Sequence, residues 1–285
     1  QLRYFTTTLR LYDSFPVTDW LTSGDILPAI DALYAVDAIH EAIETLCYAR
    51  RHTGPVNRPR DEARDPTTPS HSCSLDYTID YLILALQWPT SSCLKYDNIC
   101  NVDADYSCWQ IHGLWPQRRH EPHQQEVQWC CATAYDPSLL DPIRAELTRK
   151  WMTLNVTADN DYFWGHEYDK HGSCGRSSPA LADQLRYFTT TLRLYDSFPV
   201  TEWLTSGDIL PENDALYAVD AIHEAIESKL NSSRVRLNCG DPSGPEWAPI
   251  LSEIYICLDV DTFQPIDCEG EDNKNTKNLI QYPKH

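Results

Sequence analysis

Apolar residues recur along this chain in two rhythms. The run Tyr77 to Trp88 is dense in aromatic and β-branched residues, and it ends at Pro89. That pattern predicts a buried strand. Asp136-Pro137 predicts a helix start with proline in the first turn. Leu139, Ile143, Leu147 and Trp151 then recur every fourth residue along one stripe. A second stripe, Leu181, Leu185, Phe188, Leu192 and Tyr195, predicts another helix. A third helix is expected from Asp214 to Leu230, with Val219, Ile222 and Ile226 facing inward. From Glu253 to Asp259 the period shortens to two: Ile254, Ile256 and Leu258 alternate with Glu253, Tyr255 and Cys257, which is strand-like. Helices and strands do not alternate regularly, so the fold class is α+β.

One stretch occurs twice. Residues 1–44 repeat residues 184–227, and only Asp19/Glu202, Ala29/Glu212 and Ile30/Asn213 differ. Structural repeats usually diverge while keeping a pattern. Near-identity over one segment points instead to a recent partial duplication or a gene-assembly event. Residues 1–46 are therefore expected to be an accessory or artefactual copy of 184–229. Residues 47–72 have almost no apolar periodicity and read as a disordered linker. Residues 271–285 read as a polar tail.

Hydrophobic content of 42% is enough for a substantial core. Eleven cysteines beside a single methionine suit an oxidising compartment and a disulfide-bonded fold. The sequons at Asn155 and Asn231 agree with secretion and glycosylation. No stretch approaches the ~18 apolar residues of a membrane span, so no membrane partner is expected. With no initiator methionine and no leader, the chain reads as a mature form, a fragment or an incomplete sequence. A net charge of −19 argues against a general nucleic-acid binder. It leaves room for an enzyme with a locally positive cleft.

The chemistry concentrates in two segments, Trp109-Gln110-Ile111-His112-Gly113-Leu114-Trp115-Pro116 and Phe163 to Cys174. Read as a helix, the second places Glu167 beside His171 and His166 beside Lys170, four residues apart. His112 supplies a third imidazole. Two imidazoles across a substrate can act as base and acid, and a lysine can stabilise charge on a phosphoryl group. Zinc chemistry fits poorly. The zinc-protease pattern needs histidines four apart, whereas His166 and His171 are five apart, roughly 140° around a helix. No cofactor or metal is expected.

These two segments resemble the active-site stretches of the ribonuclease T2 family. A third likeness is Leu86-Gln87-Trp88-Pro89 with Cys93 and Cys100. The resemblance implies an antiparallel sheet core packed with helices over residues 73–270. It implies a secreted or lysosomal/vacuolar endoribonuclease that cleaves single-stranded RNA through a 2′,3′-cyclic phosphate to 3′-phosphate ends, with low base specificity. The expected partner is RNA, not DNA, and the expected state is a monomer. His171 would be the general base and His112 the general acid, with Glu167 and Lys170 stabilising the transition state. His166 would bind phosphate, Trp115 would stack on a base, and Gln87 would contact substrate. The implied disulfides are Cys93–Cys100, Cys257–Cys268 and a bond from Cys174 to Cys130 or Cys131. Gln117 stands where the family often has an acidic residue, with Arg118 and Arg119 after it. The competing expectation is a secreted binding protein that keeps the fold without catalysis.

Overall fold

The computed structural model describes residues 79–95, 100, 108–119, 127–130, 134–240, 248–273 and 275–284. The expectations for residues 1–46 and 47–72, and for Cys131, lie outside these.

A hydrophobic sheet forms the frame. Its central strands are β1 (Tyr81–Gln87), β2 (Gln110–Gln117) and β5 (Ile250–Asp259). The short strands are β3 (Leu216–Ala218), β4 (Arg236–Gly240), β6 (Pro265–Ile266) and β7 (Leu279–Gln281). The order is β2-β1-β5-β7-β3, with β4 and β6 also on β5. All pairings are antiparallel except β5 with β7. The predicted first strand is shorter than its apolar run, and Pro89 opens helix α1 (Pro89–Lys95) rather than a loop.

The other helices are α2 (Arg144–Lys150), α3 (Asn160–Lys170), α4 (Gln184–Ser197), α5 (Val200–Ser206) and α6 (Val219–Glu227). They bury Leu147, Trp164, Tyr168, Tyr187 and Phe188 against Leu82, Leu84, Leu86, Ile111, Leu114 and Ile254 of the sheet. The opposite sheet face carries a smaller cluster with Tyr81, Ile83, Ala85, Tyr255 and Cys257.

Four expectations change. The helix expected from Asp214 to Leu230 runs only over Val219–Glu227, because Leu216–Ala218 pairs with β7 as β3. The stripe Leu139-Ile143-Leu147-Trp151 is not one α-helix. Pro142 interrupts it, and Pro137–Ile143 winds as a 3₁₀ helix that buries Leu140 and leaves Leu139 exposed. In the next stripe Leu185 faces solvent while Tyr187 is fully buried. Most consequentially, residues 271–285 are no polar tail. β7 joins the sheet, Ile280 and Tyr282 are buried, and the Trp88 indole donates to the Pro283 carbonyl at 2.8 Å. Apolar side chains in a polar stretch were enough to bring it home.

Strand β2 lies at the sheet edge, and the helices complete its hydrogen bonding. The Tyr195 hydroxyl donates to the Trp109 carbonyl at 2.6 Å. The Trp151 indole donates to His112 at 2.8 Å, and the Tyr187 hydroxyl to Leu114 at 3.0 Å. These bonds close the edge and hold the strand that carries His112.

Candidate active site

His112 sits at an irregularity in β2. Ala85 pairs with Gly113 and Leu86 with Ile111, so His112 is an extra residue without its own partner on β1. Such a bulge re-aims a side chain. Ile111 and Leu114 both reach the main core. Strict alternation would not allow that for residues three apart. The bulge does, and turns His112 to the opposite face, toward Glu253. The Gln87 amide steadies this point by donating to the Ile111 carbonyl at 3.4 Å. Gln87 is itself buried, and its carbonyl accepts from Ser92 at 3.5 Å.

Helix α3 supplies the rest. Asp159 caps its start by accepting from the Tyr162 amide at 2.8 Å. Trp164 and Tyr168 anchor one stripe in the core. Glu167 lies on the neighbouring stripe, and His171 follows at the helix end, with its amide donating to the Glu167 carbonyl at 3.0 Å. The Cys130–Cys174 disulfide ties down the turn beyond. Gly172 permits that turn to press on Tyr187, because a Cβ there would lie 2.9 Å from the ring. The structure also pairs Cys93 with Cys100 and Cys257 with Cys268.

Trp115 links the elements. Its indole N–H donates to Glu167 Oε2 at 3.2 Å. His171 stacks on its ring at 5.1 Å, and His112 meets it edge-on at 5.1 Å. The second carboxylate oxygen of Glu167 lies 4.0 Å from His112 Nε2. Glu167 and His171 are nearly closed to solvent, whereas the His112 side chain is 32% exposed. Thus His112, Trp115, Glu167 and His171 form one cluster. His166 is exposed one turn away beside Trp129, and Lys170 follows on the same stripe.

The two catalytic candidates are tuned in opposite directions. Burial pushes His171 down to about 2, helped by the positive charge of Lys170 and the nearby His112 and His166. His171 is therefore neutral, and among the described residues its buried Nδ1 has no hydrogen-bond partner. For His112, loss of hydration also opposes charge. The hydrogen bond to Glu253 and the charges of Glu167 and Glu253 outweigh that and raise its pKa. Burial raises Glu167, and burial together with Lys170 lowers His166. Of the two imidazoles, one is thus held neutral and the other is drawn toward its charged form.

Other expected residues have other settings. Arg119 turns to the start of β1, over the Tyr81 ring and 3.9 Å from Glu269. Asn155 and Asn231 are both exposed. Among the described residues no group of histidine, cysteine or carboxylate side chains is arranged to hold a metal, and no helix is long and apolar enough to cross a membrane. The residue that sequence reasoning missed is Glu253. Its signal was present: a carboxylate alternating with Ile254 in a strand buried on both faces.

Three comparisons fit this geometry. The ribonuclease T2 family model matches residues 79–268. Ribonuclease Oy of Magallana gigas is 30% identical over 200 residues, covering 69% of this chain and 91% of that protein. A ribonuclease-like storage protein of Panax ginseng is 30% identical over 197 residues, covering 69% and 78%. Among solved structures, RNase NT in complex with 5′-AMP superposes with a TM-score of 0.64 at 24% identity, covering 73% of this chain and all of the other. The RNase-related protein from Calystegia sepium gives 0.59 at 27% identity, covering 73% and 100%. The chain belongs to the ribonuclease T2 family and is an endoribonuclease of that type.

Proposed function

We propose that the chain cleaves single-stranded RNA by metal-independent transesterification, with low base specificity. The observation that carries this reading is the gathering of His112 and His171 against the Trp115 ring, each 5.1 Å from it, with Glu167 hydrogen-bonded to that indole. Neutral His171 takes the proton of the ribose 2′-hydroxyl as it attacks phosphorus. Protonated His112 gives a proton to the departing 5′-oxygen. The products are a 2′,3′-cyclic phosphate and a free 5′-hydroxyl. Water attack in the reverse proton sense then yields the 3′-phosphate. Glu167 and Lys170 stabilise the charge that develops on the phosphoryl oxygens. A carboxyl group can do so only in its protonated form, as an O–H donor, which suits the raised pKa of Glu167. His166 is exposed to bind phosphate, and Trp115 offers a base the part of its ring that His171 leaves open. DNA has no 2′-hydroxyl and is not cut.

The disulfides suit secretion or a lysosomal/vacuolar lumen, with glycans at exposed Asn155 and Asn231 and a monomer as the working unit. The likeness to a storage protein supports a second reading, a fold retained for binding or storage without catalysis. One assay decides between them: RNA cleavage in EDTA by the parent, His112→Phe and His171→Phe. EDTA-resistant cleavage that falls about 10²- to 10⁴-fold in each variant is expected. No cleavage by the parent between about pH 4 and 8 favours the second reading, and loss with EDTA refutes the metal-free mechanism.

A further inference from the structure

Glu253 lies outside both active-site segments, on β5, yet it makes the closest polar contact of His112. Its Oε1 is 2.5 Å from His112 Nδ1. Its Oε2 accepts from the Tyr255 hydroxyl at 2.7 Å and from the Asn238 amide of β4. Asn238 is held in turn by Asn273. The carboxylate side chain is 13% exposed, and these donors fill both of its oxygens. Burial works against its ionisation, but the contact with His112, Tyr255 and Asn238 brings it down to about 2. Glu253 is therefore held in its charged form. Among the described residues, the other charged groups acting on His112 come from α3. Glu167, 4.0 Å from Nε2, favours protonation, and Lys170 acts at longer range against it.

We infer that Glu253 is the positioning residue of the general acid: it accepts the Nδ1 proton of His112, fixes that tautomer and keeps the Nε2 proton pointed at the leaving 5′-oxygen. The inference rests on the acid role given to His112 above. Without this anion the His112 imidazolium would keep only Glu167 at 4.0 Å against the charge of Lys170, and would give up its proton at lower pH. Glu253 touches no substrate. It acts only through His112, in a step that matters in proportion to how poor the leaving group is.

That dependence supplies the test, made on the full chain with Glu253→Gln. The glutamine keeps shape and removes charge. On a dinucleoside phosphate, whose alkoxide needs the proton, kcat/KM should fall about 10- to 100-fold, and the alkaline limb of the pH profile should move to lower pH. On a uridine 3′-(4-nitrophenyl phosphate), whose phenolate leaves unaided, the loss should stay within about twofold. Equal losses on both substrates, or an unmoved alkaline limb, overturn the inference. His112→Phe separates the two layers. If it retains dinucleotide cleavage, the acid role of His112 fails and the inference with it. If it loses cleavage while Glu253→Gln does not, only Glu253 is misassigned. A measurement on the unsubstituted protein stands apart from any folding defect: ¹⁵N NMR should find His112 Nδ1 protonated between about pH 5 and 9. A neutral ring with its proton on Nε2 alone overturns the inference.

Discussion

Gly113 offers the sharpest test of how the site is assembled. It follows His112 in the bulge and pairs with Ala85. A Cβ on Gly113 would lie 2.3 Å from Glu167 Oε2 and 2.4 Å from Trp115 Nε1, on top of the hydrogen bond that joins them. Backbone strain is not at issue, because Gly113 lies outside the left-handed region. Trp115 is wedged between His171 and Tyr255, so the carboxylate has to retreat by about 1 Å to reach ordinary contact. Gly113→Ala then breaks that hydrogen bond and leaves a buried partner unsatisfied, at a cost of about 1–3 kcal/mol. Reduced freedom of the unfolded chain returns about 0.4–1 kcal/mol. A net loss of about 1–2 kcal/mol lowers Tm by several degrees in a domain of this size. The catalytic cost is larger. A misplacement of about 1 Å can take about 100-fold from the rate, or about 2.7 kcal/mol of barrier. The assays are kcat/KM on RNA and thermal melting of the same preparation. Wild-type kcat/KM and Tm in Gly113→Ala would refute the close approach of β2 to α3 on which the site depends.

Two further outcomes follow from groups away from the chemistry. His223 sits between Glu227 at 2.8 Å and Asp272 at 2.9 Å, and the hydrogen bond to Asp272, then that to Glu227, outweighs burial and raises its pKa. Its stabilisation is therefore complete below the ordinary histidine value of about 6.5 and lost as pH rises through the raised folded value. Urea unfolding should show His223→Ala destabilised most at acid pH, and a deficit that grows on the alkaline side would contradict this. Tyr282 packs 4.7 Å from Trp88 and accepts from the Trp109 indole at 3.0 Å. Tyr282→Ala should cost about 3–5 kcal/mol, and a loss under about 1 kcal/mol by the same method would restore the tail reading.

What could be read from the chain divides by the range of the cause. β5 was legible because its alternation is local and β1 pairs along it without a register shift, past Ile254, Ile256 and Leu258. The α3 cluster was legible because four-residue spacing is a property of one helix. The 3₁₀ turn at Pro137–Ile143 was misread although Pro142 stood in plain view, since the leucine spacing suited an α-helix equally well. β7 was missed because three residues carry no period, and their burial depends on Trp88 and Trp109 more than 170 positions away. The bulge at His112 is of the same kind. Nothing in Ile111-His112-Gly113 announces an extra residue; it exists because Leu86 and Ala85 fix the pairing on either side. Glu253 could be seen on the correct face of its strand, but its partner lay 141 residues upstream.

The charge of the whole molecule and that of the site pull in opposite directions, and distance decides between them. A net charge of −19 repels RNA, but exposed charges are screened beyond about 8 Å at physiological ionic strength. Within that radius RNA meets the Lys170 ammonium, the exposed ring of His166 and a His112 whose charge is shared with Glu253. The two carboxylates among them are differently placed: Glu253 is neutralised by its contact with His112, and Glu167 is pushed by burial toward its uncharged form. Lowering pH protonates surface carboxylates and weakens the repulsion while His112 keeps its proton. His171, held down to about 2, still has a free lone pair. Acidification therefore improves approach while His171 stays neutral.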